Sequence, residues 1–322
     1  MRYSTYAALL VIAAHGPLSQ AQDRGADTVR SLLVPASTTM VTAWDIPQNP
    51  LTDTSLGRSP RAAQVRRGYR LFVRTADAAP RTAANRLACG NCHLNAGQRE
   101  RALPLTGVAG VFPEYNKREG RNFSLEDRIV GCFMRSENAT AIRADTPSGE
   151  RIRTYPDTSA EEVAALAAYI RWISERAGGR KTLPWRGQNT IPADSLIPIE
   201  RLDPARGKTL FSEHCSSCHG SNGQGVAIGD KKAGPLWGPR SWNDGAGAAR
   251  VYTLAGFIRY AMPYLNPGGL SAEEAQQIAR YINSMPRPVY PLKRFDYLRT
   301  RVPPDAVYYE RGAHERPPLN EH

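Results

Sequence analysis

Cysteine and histidine occur together at two places in this sequence, with a spacing that allows one particular chemistry. The first run is Cys89-Gly90-Asn91-Cys92-His93 and the second is Cys215-Ser216-Ser217-Cys218-His219. In a Cys-x-x-Cys-His run the two thiols can add across the vinyl groups of haem, and the adjacent imidazole can bind the iron. The sequence therefore predicts two covalently bound haem c groups, attached through Cys89, Cys92, Cys215 and Cys218 and ligated by His93 and His219.

Two other interpretations of these runs are weaker. A structural zinc site needs a second Cys/His pair at a suitable spacing, and neither run is followed by one. A redox-active dithiol does not need the histidine that ends both runs.

The second half of the chain also offers a sixth iron ligand. Met262 stands in the segment Tyr260-Ala261-Met262-Pro263-Tyr264, nine residues before Ser271. A Met-Pro pair just before the last helix resembles the distal ligand of ordinary cytochromes c, and a thioether stabilises ferrous iron. The matching position in the first half is Glu150, so another residue must provide the sixth iron ligand there.

The fifth cysteine, Cys132, is the candidate for the first half, because haem attachment leaves it without a disulfide partner. Such a cysteine forms an intermolecular bridge, is a buried inert thiol, or is reactive or metal-bound. Ser124 and Asp127 form a capping box, which predicts that a helix starts there and contains Cys132. Met134 would face the other side of that helix with Val130, as a core residue does.

The face of this helix that carries Cys132 also carries cations. Helical spacing places Arg128, Cys132, Arg135 and Ser136 on one stripe. Guanidinium groups near a thiol favour its thiolate form, and a thiolate ligand lowers the potential of haem iron. The same groups can bind an oxoanion. We therefore expect Cys132 to be an axial ligand of haem 1 and part of an active site.

An internal repeat indicates how these residues are positioned. The segment Arg67-Gly68-Tyr69-Arg70-Leu71-Phe72 precedes the first haem run, and Arg206-Gly207-Lys208-Thr209-Leu210-Phe211 precedes the second. Ser159 and Ser271, each followed at the third position by Glu, are predicted to cap a later helix in each half. An N-terminal helix, a haem run and a C-terminal helix in each half resemble the class I cytochrome c fold.

The fold expected from this repeat is all-α, with two class I cytochrome c-like domains at residues 55–180 and 200–287. Residues 182–198 are rich in Pro, Gly and Asn and are predicted to be a linker. Residues 288–322 contain many prolines and are predicted to form an extended tail.

The N-terminus has the features of a secretory signal peptide at residues 1–21: Arg2, an apolar stretch at residues 7–14 and small residues before the cleavage point. An uncleaved N-terminal anchor is the alternative. No later stretch is long and apolar enough to span a membrane, so a soluble periplasmic protein is expected. The net charge of +12 suits an anionic substrate or an acidic redox partner, and no nucleic-acid motif is present.

Two segments of the chain carry a family resemblance that is more specific than the cytochrome c fold. One runs from Gly120-Arg121 to Asn138 and includes Leu125-Glu126-Asp127-Arg128-Ile129 before Cys132. The other is Gly234-Pro235-Leu236-Trp237-Gly238-Pro239 with the following Asn243-Asp244-Gly245-Ala246-Gly247. From about Gly68 to Pro288 the sequence resembles the dihaem thiosulfate dehydrogenases.

The resemblance implies an active-site haem ligated by His93 and Cys132, and a second haem ligated by His219 and Met262. It also implies an anion pocket formed by Arg118, Arg128 and Ser136. The implied reaction joins two thiosulfates into tetrathionate, with electrons leaving through haem 2 to a small periplasmic acceptor such as a cytochrome c. The pocket could serve another sulfur anion. A non-catalytic electron carrier, and a haem-thiolate subunit of a sulfur-oxidising multienzyme system, remain as alternatives.

Overall fold

The helices and strands below come from a computed structural model that describes residues 32–39, 41–146, 149–178, 183–228 and 231–310. Its α-helices are α1 (Pro60–Val73), α2 (Thr75–Ala78), α3 (Leu94–Gly97), α4 (Leu125–Ser136), α5 (Glu161–Glu175), α6 (Pro204–His214), α7 (Ser216–His219), α8 (Val251–Ala261) and α9 (Ala272–Ile282). Its strands are β1 (Glu114–Asn116), β2 (Arg121–Phe123), β3 (Thr140–Thr146), β4 (Gly149–Tyr155), β5 (Ala227–Ile228) and β6 (Lys231–Lys232). The predicted signal peptide, residues 1–21, lies outside the described residues.

Each half of the chain contains a pair of packed helices, one before and one after the haem run. The pair is α1 and α5 in the first half, and α6 and α9 in the second half, where α8 also packs against α9. The first hydrophobic core includes Phe72 and Tyr169, and the second includes Phe211 and Tyr281. The repeated segments that precede the haem runs lie in α1 and α6, so the repeat corresponds to two equivalent helix pairs.

Glycine at one repeated position allows these helices to come close together. A Cβ atom on Gly68 would lie 2.8 Å from the Cβ atom of Tyr169 and would overlap the Ala165 carbonyl group. A Cβ atom on Gly207 would lie 2.7 Å from the Cβ atom of Tyr281 and would overlap the Gln277 carbonyl group. The backbones of the two helices therefore touch at the same place in both halves.

Replacement of Gly207 by alanine should lower the free energy of unfolding by about 1–3 kcal/mol, because the new methyl group forces α6 and α9 apart. Chemical denaturation monitored by helical circular dichroism measures the change. Gly247→Ala is the matched control, since no heavy atom lies within 4 Å of a Cβ atom added there. Equal stability of the two variants would contradict the close approach.

The helix starts test three predictions made from capping residues. The Ser124–Asp127 capping box begins α4, with the Asp127 amide donating to Ser124 Oγ at 3.0 Å. The Ser271 box begins α9 in the same way. The prediction for Ser159 is wrong: its hydroxyl donates to Asp157 at 2.6 Å, and α5 begins at Glu161 without a side-chain cap. The Ser159 amide also donates to Asp157, at 2.9 Å, so Asp157 holds Ser159 in a turn that precedes the helix.

The fold is helix-rich rather than strictly all-α, because the described residues include three two-stranded antiparallel hairpins. The largest pairs β3 with β4, from Thr140 opposite Tyr155 to Thr146 opposite Gly149. It is inserted between α4 and α5. The smaller hairpin of β1 and β2 comes just before α4 and pairs Glu114 with Phe123. These strands are held by backbone pairing with each other, which hydrophobic periodicity does not reveal.

Residues 288–310 follow the second helix pair and contain one short 3-10 helix, Lys293–Phe295. Tyr290 belongs to the first hydrophobic core, and Asp296 and Asp305 are buried. This segment therefore contributes buried side chains, in addition to covering the surface. No helix in the described ranges is long and apolar enough to cross a membrane.

Candidate haem and active site

A cavity of about 870 Å³ has the first haem run along its wall. Cys89, Cys92 and His93 line it, and the 3-10 helix Cys89–Asn91 holds the two thiols on one turn. Much of the remaining wall is apolar, with Phe72, Leu105, Ile129, Phe133, Leu166 and Ile170 among its members. A cavity of this size and character suits a large, flat, mostly apolar cofactor.

His93 is oriented as an iron ligand would be. Its Nδ1 atom lies 2.6 Å from the Leu103 carbonyl oxygen, an acceptor that fixes the proton on Nδ1 and leaves Nε2 free to bind a metal. Burial lowers the pKa of His93, and the positive charge of Arg128 lowers it further. The ring is therefore neutral at neutral pH, as a metal-binding imidazole must be.

The two attachment cysteines are suited to thioether bonds. Burial raises the pKa of the Cys92 thiol to about 12 and raises that of Cys89 as well. Across the described ranges, no three His, Cys, Asp or Glu side chains are grouped as metal ligands. The observed residues therefore fit covalent haem better than zinc.

Helix α4 brings three of the predicted site residues to this cavity. Arg128, Cys132 and Ser136 all line it, as their helical spacing predicts. Met134 is 2 % exposed and packs in the first hydrophobic core, on the other side of the helix. Cys132 therefore shares the cavity wall with the two cysteines of the first haem run, Cys89 and Cys92.

Arg135 belongs to the same stripe but is absent from the cavity wall. Its guanidinium donates to both carboxylate oxygens of Asp296, at 2.7 and 2.6 Å, and to Glu119 at 3.0 Å. It also stacks on the ring of Tyr290, 4.1 Å from the ring centroid. Burial lowers the pKa of Arg135, but the hydrogen bonds with Asp296 outweigh burial and raise it. Of the two arginines expected beside Cys132, Arg128 therefore lines the cavity and Arg135 does not.

Arg118 is likewise absent from the cavity wall. Its guanidinium donates to the Gly245 carbonyl oxygen and lies over the Tyr297 ring, 5.3 Å from the centroid. The structure therefore brings together Arg128, Cys132 and Ser136, and places Arg118 in a contact between the two halves of the chain.

Several cavity residues were not predicted from the sequence. Lys117 comes from the turn between β1 and β2, Arg186 from the segment after residue 182, and Trp242 and Arg250 from the second half. Glu137, the residue after Ser136, is 2 % exposed, and burial raises its pKa to about 8. Glu137 follows Ser136 and Lys117 precedes Arg118, so each adjoins a predicted site residue. Arg186, Trp242 and Arg250 had no such local signal.

The second haem run has the same local arrangement. Cys215 ends α6, and α7 contains Cys218 and His219. Burial raises the pKa of Cys215 to about 12 and lowers that of His219. The Gly234 carbonyl opposes the shift at His219, as Leu103 does at His93, although the Nδ1 atom of His219 has no hydrogen bond of normal geometry. In both halves the residue that faces the histidine precedes a proline.

Met262 caps the C-terminus of α8 and is partly buried against Leu94, Ala102 and Ala261. Neither Met262 nor His219 lines the cavity around Cys132. The contacts of Met262 include Leu94 and Ala102 of the first half, and the pairing of Met262 with His219 on one iron stays a prediction.

Replacement of Met262 by glycine should remove the weak sulfur-to-iron absorption band at the red end of the visible spectrum and lower the higher of the two haem potentials. A spectroelectrochemical titration of the purified holoprotein measures both. Met134→Leu, at a buried methionine outside both sites, is the control and should leave band and potential intact. An unchanged band in Met262→Gly would mean that another residue is the ligand.

Family comparisons agree with two haem-binding halves. Residues 78–178 match a family described as "SoxA/TsdA, cytochrome c domain", and residues 202–282 match "Cytochrome C oxidase, cbb3-type, subunit III". The chain thus contains two cytochrome c domains, and it carries two covalently bound haem c groups.

Curated relatives give a more specific match. The thiosulfate dehydrogenase of Psychrobacter arcticus is 34% identical over 249 residues, which cover 76% of this chain and 69% of the relative. That of Stutzerimonas stutzeri is 36% identical over 228 residues, covering 70% and 68%. That of Allochromatium vinosum is 35% identical over 247 residues, covering 74% and 82%.

A solved structure extends the similarity to three dimensions. It is the thiosulfate dehydrogenase TsdBA of Marichromatium purpuratum in its as-isolated form, with a TM-score of 0.63 and 36% identity. The match covers 74% of this chain and 50% of that chain, so this protein spans about half the length of the solved one. With relatives this similar over two thirds or more of their length, the chain belongs to the thiosulfate dehydrogenase family.

Proposed function

We propose that this protein oxidises thiosulfate to tetrathionate in the cavity around Cys132 and passes the electrons through the second haem domain to an acceptor. One observation carries the proposal: Cys132, Arg128 and Ser136 line the same cavity as Cys89, Cys92 and His93. A sulfur nucleophile, a cation and a hydroxyl are thereby placed beside a haem attachment site. The relatives named above are thiosulfate dehydrogenases, which supports the same substrate here.

The reaction balances in two steps at the Cys132 sulfur. A Cys132 thiolate and one thiosulfate form a sulfur–sulfur bond and release two electrons. The outer sulfur of a second thiosulfate then attacks this adduct, so that tetrathionate leaves and the thiolate is restored, as in thiol–disulfide exchange. The two haem groups, each a one-electron carrier, supply the oxidising capacity for both electrons.

The other cavity residues bind and orient the anions. Arg128 offers a planar set of donors to a sulfonate oxygen, and Ser136 offers a hydroxyl one helical turn after Cys132. Because both partners of the Arg128 contact are charged, this contact is stronger than a hydrogen bond between neutral groups. Between turnovers Cys132 and His93 would both hold the haem iron, and a thiolate ligand would lower the potential of that iron.

The second domain has two roles in this proposal. Trp242 and Arg250 complete the cavity wall, so the substrate is enclosed by both domains. His219 and Met262 would hold the haem of higher potential, which draws electrons away from the active site towards a small soluble acceptor such as a cytochrome c. The chain would oxidise thiosulfate in the periplasm, because its predicted signal peptide would deliver it there.

Steady-state oxidation of thiosulfate by the purified holoprotein, with an artificial electron acceptor, tests the proposal. We expect acceptor reduction with one tetrathionate formed for every two thiosulfates consumed. An electron carrier would show no turnover without a separate dehydrogenase. A haem-thiolate subunit of a sulfur-oxidising system would turn over only when its sulfur-carrying partner protein was added.

Replacement of Arg128 by alanine should mainly weaken substrate binding, because one charge-assisted hydrogen bond to a thiosulfate oxygen is lost. A loss of about 1.5–3 kcal/mol would raise KM roughly 10- to 150-fold. Steady-state kinetics measures the change, and Arg201→Ala, at an exposed arginine outside the cavity wall, is the control. An unchanged KM in Arg128→Ala would remove Arg128 from the binding site.

A further inference from the structure

Four basic side chains line the cavity: Lys117, Arg128, Arg186 and Arg250. Arg186 forms an ion pair with Glu114, which is also a lining residue, and Arg250 donates to the buried Asp305 at 2.7 Å. Lys117 and Arg128 have no ion pair with any other described residue. These two cations are therefore available to an anion in the cavity.

Lys117 is held in place by its own turn. The side-chain oxygen of Asn116 accepts from the amides of Arg118 at 3.0 Å and Glu119 at 3.1 Å, which fixes the turn between β1 and β2. The segment after the second helix pair holds the same turn from outside, since the Tyr297 amide donates to the Arg118 carbonyl oxygen at 2.8 Å. The turn is thereby fixed with Lys117 on the cavity wall.

The side chain of the next residue, Arg118, does not line the cavity. Arg118 is committed to the Gly245 carbonyl oxygen and to the ring of Tyr297, so it serves the contact between the two domains. Lys117 is the basic residue of this turn that lines the cavity. Arg118 therefore stabilises the turn, and Lys117 supplies a positive charge to the cavity.

The proposed reaction makes a second cation necessary. The second thiosulfate is a dianion and must approach the anionic Cys132 adduct within bonding distance, so the two anions repel each other. One guanidinium group can compensate only part of that charge. A second cation, on a different element from Arg128, can hold the incoming anion while the first stays bound.

We propose that Lys117 forms a second anion subsite, which binds the sulfonate group of the second thiosulfate and one end of tetrathionate. This inference rests on the proposed function and names the residue that makes the site selective for doubly charged sulfur oxoanions. An ammonium group suits this role, because it compensates charge without imposing the fixed geometry of a guanidinium fork.

Calorimetric titration of the oxidised holoprotein with tetrathionate tests the subsite without turnover. We expect Lys117→Ala to bind tetrathionate about tenfold or more weakly than wild type, as the loss of one charge-assisted contact predicts. Lys117→Arg should recover most of the affinity, and the weakening should fade as salt is added. Lys208→Ala, at an exposed lysine on α6 outside the cavity wall, is the matched control and should bind as wild type does.

Kinetics gives the second readout. In Lys117→Ala the KM for thiosulfate should rise while both haem spectra and potentials stay as in wild type, which a structural disturbance would not allow. Tetrathionate affinity and thiosulfate KM equal to those of wild type would overturn the inference, even if the wild-type enzyme is active. Absence of wild-type turnover would instead defeat the proposed function, and the tetrathionate titration would still decide whether Lys117 binds the anion.

Discussion

Replacement of Cys132 by glycine should abolish thiosulfate oxidation, with a fall in kcat of roughly 10⁴-fold or more, as expected when a covalent nucleophile is removed. Among the described residues that line the cavity, Cys132 carries the only sulfur outside the haem attachment runs. No other described side chain there can form the sulfur–sulfur bond. Steady-state turnover with an artificial acceptor measures the loss.

The controls separate loss of chemistry from loss of structure. In Cys132→Gly both haem groups should remain attached, as shown by intact-protein mass, and the second haem should still be reduced by dithionite at its wild-type potential. Met134→Leu alters the same helix on its buried face and should keep nearly full activity, because the two side chains are similar in volume. Wild-type turnover in Cys132→Gly would return the protein to the class of electron carriers.

Replacement of Asp296 by alanine should lower the free energy of unfolding by about 3–5 kcal/mol, because it leaves the guanidinium of Arg135 buried without its main counter-charge. The exposed fraction of the side chain is 8% for Arg135 and 1% for Asp296, and two hydrogen bonds join them. The Tyr309 hydroxyl, which donates to Asp296 at 2.5 Å, would lose its acceptor as well. Chemical denaturation of the holoprotein measures the change.

An exposed ion pair provides the comparison. Arg206 and Glu273 are joined by two hydrogen bonds at the surface of the second domain, and Glu273→Ala should cost far less because water replaces the lost partner. The double variant Arg135→Met, Asp296→Leu should recover much of the lost stability, since it removes both buried charges together. A loss in Asp296→Ala no larger than that in Glu273→Ala would contradict a buried, structural role for Arg135.

The contrast between Arg128 and Arg135 shows that helical spacing predicts the face of a helix but not the contacts of a long side chain. Both lie on one helical stripe with Cys132, and the spacing treats them alike. Arg128 reaches the cavity, whereas Arg135 turns to a carboxylate 161 residues further along the chain. Periodicity fixes the face on which a side chain begins, but a long side chain leans towards the nearest buried counter-charge, and that charge came from the C-terminal segment.

The sequence by itself predicted the haem attachment residues, because thioether chemistry requires the two thiols and the imidazole within one short run. It also determined the start of α4 and the placement of Cys132 and Met134 on opposite faces, since caps and helical period depend on residues only a few positions apart. The tertiary structure alone decided that Lys117 and not Arg118 lines the cavity, and that Trp242 and Arg250 of the second domain enclose it. These outcomes depend on which distant segments pack together, and packing is decided by the burial and pairing of the whole chain rather than by local spacing.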